Sequence, residues 1–152
     1  MIPLLNNENL TYFTGIVINN FAKLSLDNYG TRVIQTLNKS ILNNKFLLNN
    51  FTDALIQVMP QLINDQSGSF IIINYATIVP APENNIIFSF LGENIKDISN
   101  TPYSCCAFQK CFDLGNEEQK NKLYYGVILN AEYLITNQFG NYIIQYILAK
   151  NN

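Results

Sequence analysis

Four gapless segments of this chain repeat one pattern of residue classes at a nearly constant spacing. That period constrains the fold more than any other feature of the sequence. The segments are Asp27 to Gln35, Asp65 to Ile73, Thr101 to Gln109 and Asn137 to Gln145. Their fourth residues, Gly30, Gly68, Ser104 and Gly140, stand 38, 36 and 36 residues apart and serve as register residues. Apolar positions at helical spacing precede each one: Ile16, Phe21 and Leu24; Leu55, Ile56, Met59 and Leu62; Ile87, Leu91 and Ile95; Val127, Ile128 and Leu134. An Asp, Thr or Asn opens each segment, as helix starts prefer. The small register residue permits either a tight turn or close helix packing. Beyond it, Val33, Ile34 and Leu37, or Tyr142, Ile143, Tyr146 and Ile147, continue a helical rather than a strand period. Two or three helices per unit of about 36 residues define an all-α solenoid, in which neighbouring units bury each other's faces. The expected division is a single domain, 1–152, with units near 11–48, 49–84, 85–120 and 121–152. Val79 to Asn85, with two prolines, reads as an inter-helix loop. The last helix runs nearly to Asn152 without a polar capping unit, so the chain is expected to be part of a longer array or a shortened one.

Composition removes several function classes. The 152 residues contain no histidine, which excludes serine–histidine–acid and cysteine–histidine catalysis and zinc sites built on imidazole. Cys105, Cys106 and Cys111 form neither a CxxC pair nor an even disulfide framework, so no metal is expected and a reduced, cytoplasmic compartment is. Asp27 and Asp65 recur at one position of the unit and read as helix caps rather than an acid–base pair. The run Glu117-Glu118 with Lys120 and Lys122 reads as a solvated helix face, and Tyr124-Tyr125 and Phe88-Phe90 as core. The N-terminus lacks the pattern of a signal peptide, and the most apolar stretch, 70–82, is too short to span a bilayer. A soluble, non-enzymatic protein with no cofactor, no membrane association and no small-molecule substrate is expected.

What recurs in each unit is a set of three side chains. On a helix, residues i and i+4 share a face, flanked by i+1. The sets are Thr31, Gln35 and Arg32; Ser69, Ile73 and Phe70; Cys105, Gln109 and Cys106; Asn141, Gln145 and Tyr142. Three units place a Gln one turn beyond a small polar or thiol residue, and three flank it with Arg, Phe or Tyr, which stack on flat aromatic surfaces. An amide offers a donor and an acceptor together, as a Watson–Crick edge requires. The pattern therefore suits one unstacked base per unit, the way single-stranded RNA is read. A helical-repeat scaffold that binds protein rather than RNA is the alternative, and the net charge of −2 fits it without strain.

The segments Gly30-Thr31-Arg32 with Gln35, Ser104-Cys105-Cys106 with Gln109 and Gly140-Asn141-Tyr142 with Gln145 resemble consecutive repeats of the Pumilio (PUF) family, particularly the central repeats of fungal members. The resemblance implies a right-handed α-solenoid whose concave face binds single-stranded messenger RNA, typically in the 3′ untranslated region. It implies translational repression or mRNA decay, with deadenylase or translational-repression proteins as partners. Such proteins run antiparallel to the RNA, so the last unit takes the 5′-most base. Asn141 with Gln145 then resembles a uracil reader with Tyr142 stacking. Cys105 with Gln109 resembles an adenine reader beside Cys106, a poor stacker, and Thr31 with Gln35 an adenine reader with Arg32 stacking. Ser69 and Ile73 depart from the pattern and leave little base choice, although Phe70 still offers a stacking face. The implied preference is 5′-U-A-N-A-3′. Four repeats stand where a typical family domain has eight, and the family's guanine-reading repeat is not among them.

Overall fold

The computed structural model describes residues 6–150, which form eleven helices and no strand. In chain order they are α1 (Asn7–Asn19), α2 (Phe21–Ser25), α3 (Gly30–Ser40), α4 (Lys45–Leu62), α5 (Gln66–Ile78), α6 (Asn85–Glu93), α7 (Ile95–Ile98), α8 (Pro102–Leu114), α9 (Glu117–Leu129), α10 (Ala131–Thr136) and α11 (Gly140–Lys150). The first, third and fourth units are each a long helix, a short one and a third that carries the repeated segment, and in the second unit the long helix α4 leads directly to α5. The third helices form one layer, with α5 packed against α3 and α8, and α8 against α11. In the other layer α1 lies beside α4 and α6 beside α9.

Asparagines decide where the long helices begin and end. Asn6, Asn44 and Asn116, each 24 residues before a register residue, accept the N–H of Asn9, Leu47 and Gln119 respectively. Asn20, Asn94 and Asn130, each ten residues before one, turn their amides back onto the carbonyls of Ile16, Phe90 and Gly126 at 2.9 Å. That side-chain donor competes with the helical ladder and closes α1, α6 and α9. The second unit has Val58 at this position, and α4 runs on through 18 residues with no break.

The register residue is settled in favour of close packing. No described residue has a positive φ. A Cβ on Gly30 or Gly68 would instead lie 2.5 or 2.7 Å from the carbonyl oxygen of Leu24 or Leu62. Glycine thus brings the end of one helix directly against the next. In the third unit Ser104 takes the place, fully buried, with its hydroxyl bonded to Thr101. A second close approach joins the layers' neighbours: a Cβ on Gly92 would lie 2.7 Å from the carbonyl oxygen of Lys122, and one on Gly126 would overlap that of Gly92.

Several residues expected in the interior lie at the surface. Ile16, Ile56 and Ile128 are exposed, because each helix buries only one stripe and these flank it, whereas Val33 is exposed at a position that is buried in the other three units, at Ile71, Ala107 and Ile143. Phe88 is fully buried, Phe90 and Tyr124 pack at the core's edge, and Tyr125 is exposed. The acidic and basic run on α9 is solvated at Glu117, Glu118 and Lys122, but it encloses a buried residue. Gln119 completes a capping box with Asn116 and donates to the side-chain oxygens of Asn84 and Asn85 at 2.8 and 2.7 Å. The loop read over Val79 to Asn85 ends at Asn84, and Asn85 opens α6.

Two glycine substitutions separate packing from propensity. Gly126→Ala is expected to destabilise the chain by about 1–3 kcal/mol, because backbone on both sides cannot yield. Gly15 sits in α1 with open space around it. Gly15→Ala is expected to stabilise by about 0.5–1 kcal/mol through helix propensity. Urea unfolding followed by circular dichroism measures both.

Candidate nucleic-acid interface

Each of the four helices that carry the repeated segment starts on the same cap. The side-chain oxygens of Asp65, Thr101 and Asn137 accept the N–H three residues on, at Gly68, Ser104 and Gly140, over 2.8, 3.1 and 2.7 Å. Asp27 accepts from Gly30 at 2.7 Å and from Tyr29 at 2.8 Å, and these two N–H bonds hold its carboxyl below the usual range. Because α3, α5, α8 and α11 begin alike and pack side by side, equivalent residues line up in rows across the layer.

The row one residue after the register residue is a floor. Thr31, Ser69 and Cys105 are buried, and Asn141 is half-buried. Two of these side chains reach the following unit at the same place: Thr31 donates to the Ser67 carbonyl at 3.1 Å, and the Cys105 thiol to the Phe139 carbonyl at 3.4 Å. Ser69 turns instead onto the Gln66 carbonyl in its own first turn, and the Asn141 amide bridges the carbonyls of Asn137 and Gln138 at 2.8 Å. Their donors are therefore used inside the protein, which the sequence pattern did not reveal.

The Gln row stands on that floor. Gln35 donates to the Thr31 hydroxyl at 3.2 Å and Gln145 to the Asn141 side-chain oxygen at 2.8 Å. Each bond ties the amide to its partner one turn away and leaves its carbonyl oxygen and one N–H available to another group. Gln109 is half-buried above Cys105, and Ile73 occupies the equivalent place in the second unit. The third row, Arg32, Phe70, Cys106 and Tyr142, is exposed throughout. Between α3 and α5 these rows bound a groove of about 700 Å³ in which Arg32 and Gln35 face Phe70 and Ile73. Tyr29 and Asn74 also line it, and the sequence analysis did not single them out. Tyr29 had a signal: Tyr103 and Phe139 sit at the same place before their register residues.

The cysteines divide by burial. All three are free, and burial raises the Cys105 thiol to about 11 and Cys111 to about 12. Both are neutral thiols, while Cys106 is exposed. Among the described residues no cluster of three or more metal-ligating side chains occurs, and no helix is long and apolar enough to cross a membrane.

Stacked helical units with equivalent three-residue sets on one layer define a tandem helical-repeat protein. The sequence profile of the Pumilio-family RNA binding repeat matches residues 20–37, 94–128 and 130–152, half of the chain, and the chain belongs to that family. It is 30% identical to Pumilio homolog 11 of Arabidopsis thaliana over 128 residues, covering 84% of this chain and 23% of that protein. It is 28% identical to the Suppressor protein MPT5 of Saccharomyces cerevisiae, covering 95% of this chain and 18% of that one. Among solved structures, it superposes on the Puf4 RNA binding domain, bound to the HO endonuclease RNA 3′ UTR recognition sequence, with a TM-score of 0.85. That match has 28% identity and covers 96% of this chain and 45% of that one. The RNA-binding domain of yeast Puf5p bound to SMX2 RNA gives 0.77 at 26% identity, with 95% and 42% covered. The chain thus spans about a quarter or less of these curated relatives and under half of the solved domains.

Thiol burial has a direct readout. At pH 8 a colorimetric disulfide reagent is expected to label one thiol per native chain, Cys106, and three in urea. Labelling of Cys105 at a comparable rate would contradict its place in the floor.

Proposed function

We propose that the layer formed by α3, α5, α8 and α11 binds single-stranded RNA, one base per unit, with the preference 5′-U-A-N-A-3′. The observation that carries this reading is the repetition of an amide held on a partner one turn away, at Gln35 and Gln145, beside exposed stacking groups. A protein-binding surface has no need of that chemistry in register. The RNA-bound state of the solved relatives supports it.

In this reading Asn141 and Gln145 meet the 5′ uracil, with Tyr142 stacked on it. Cys105 and Gln109 meet adenine, the neutral thiol packing against the base edge beside Cys106. Ser69 and Ile73 leave the third base unselected while Phe70 stacks, and Thr31, Gln35 and Arg32 take the last adenine. With one arginine and eight lysines against eleven acids, stacking and edge contacts carry the affinity, and phosphate neutralisation contributes little. The role that follows is non-catalytic: recognition of 3′ untranslated regions in cytoplasmic messenger RNA, repressing translation or promoting decay through recruited deadenylase or repressor proteins.

Fluorescence anisotropy with labelled UAUA and GAUA tests the proposal. The wild-type chain is expected to prefer UAUA by about tenfold or more, on the scale of one well-made base contact. Asn141→Ala with Gln145→Ala is expected to erase that preference. Equal, weak binding of both RNAs by the wild type at low salt would overturn the reading in favour of a protein-binding scaffold.

A further inference from the structure

The four floor residues differ in chemistry and share one commitment. Thr31 and Ser69 carry hydroxyls, Cys105 a thiol and Asn141 an amide, and each gives its hydrogens to backbone carbonyls. Thr31 donates to Ser67, Ser69 to Gln66 and Cys105 to Phe139, at 3.1, 2.9 and 3.4 Å. The Asn141 amide donates to two carbonyls, those of Asn137 and Gln138, at 2.8 Å each. A carbonyl oxygen only accepts, so none of these bonds can run the other way. Towards a neighbouring side chain the floor is therefore a row of acceptors.

A row of acceptors dictates which end of a glutamine amide it can hold. Only the NH2 group can meet the Thr31 hydroxyl oxygen or Asn141 Oδ1, and Gln35 and Gln145 bond there at 3.2 and 2.8 Å. A hydroxyl with its hydrogen uncommitted would take either end of the amide. That difference bears on base choice, because the Watson–Crick edges of related bases carry opposite orders of donor and acceptor. Adenine has a donor at N6 beside an acceptor at N1, whereas guanine has an acceptor at O6 beside a donor at N1. Uracil, with O4 and N3–H, is opposed in the same way to cytosine. A glutamine free to flip serves both members of such a pair, and one held in a single orientation serves only one.

We infer that the floor residues are positioning residues, which choose between two purines or two pyrimidines by fixing the orientation of the glutamine amide. This rests on the RNA reading proposed above and adds to it how adenine is told from guanine in the first unit. There Thr31 acts through Gln35, and Thr31 is itself held by the Ser67 carbonyl of the second unit. The orientation of one unit's reading group thus depends on the backbone of its neighbour. In the fourth unit Asn141 does the same for Gln145 with carbonyls of its own first turn. The hold is weakest at Cys105, whose sulfur is a poor acceptor.

Thr31→Val removes the hydroxyl at nearly constant volume, and Thr31→Ser keeps it. Nuclear magnetic resonance of the RNA-free chain reads the hold on Gln35 directly. Its side-chain N–H is expected to exchange slowly with water in the wild type and Thr31→Ser, and rapidly in Thr31→Val. Anisotropy then compares UAUA with UAUG. The wild type and Thr31→Ser are expected to prefer UAUA by about tenfold, and Thr31→Val to bind the two within about twofold. Thr31→Val is expected to keep the preference for UAUA over GAUA, which reports an intact fourth unit. Thr31→Ala takes its place, with the same expectations, if circular dichroism shows that Thr31→Val is unfolded. A wild type without the slow N–H, a folded hydroxyl-free variant that still prefers UAUA over UAUG, or a Thr31→Ser that does not would overturn the inference alone. A wild type with the slow N–H that binds UAUA, UAUG and GAUA alike would overturn the RNA reading, and the inference with it.

Discussion

The close approach at the register residue is the constraint on which the rest of the structure depends. Without a Cβ at Gly30 and Gly68, the backbone at Leu24 and Leu62 comes into contact with the start of the next helix. That contact sets the angle at which the helix leaves the turn, and the cap three residues earlier sets where it begins. The cap recurs in all four units, with glycine at the register position in three and the small, buried Ser104 in the other, and the four helices begin alike. Rows of equivalent side chains are the consequence. A unit that lost its cap, or carried a bulky residue at the register position, would still be helical, but its three residues would no longer align with those of its neighbours.

Much of this is local, and what is local was legible in the sequence. The period, the capping residues and the helical spacing all depend on residues within a few positions of each other. What the sequence did not disclose depends on the neighbouring unit. Thr31 and Cys105 looked like projecting groups, but the carbonyls of Ser67 and Phe139 lie within reach and draw them into the floor. Gln119 looked like part of a solvated face, yet it is buried against Asn84 and Asn85 at the start of the adjacent helix. The exposure of Ile16, Ile56 and Ile128 was hidden for a similar reason: hydrophobicity marks a helix face only to within a residue or so. The chemical sets themselves are local at i, i+1 and i+4, which is why the candidate site could be written down before the fold.

The low positive charge and the bonded floor together shape what the surface can recognise. Nucleic-acid binding proteins commonly draw affinity from phosphate contacts and specificity from base edges. Here the cations are few and the amides recur, so in the proposed reading selectivity outweighs raw affinity. The second unit breaks the row with Ile73, an apolar residue where its neighbours on either side have Gln. Under the proposed function a base there would find a stacking face at Phe70 and no amide above Ser69.

That interruption supplies the most direct test of recognition by rows. Ile73→Gln places an amide one turn above Ser69, the arrangement that Gln35 and Thr31 make in the first unit. Binding is then compared across four RNAs that differ only in the third nucleotide of UANA. Recognition by rows predicts that the wild type treats the four alike and that the variant favours adenine by about tenfold, one edge contact's worth. A variant that remains indifferent at the third nucleotide, or one whose preference changes at another position, would contradict it.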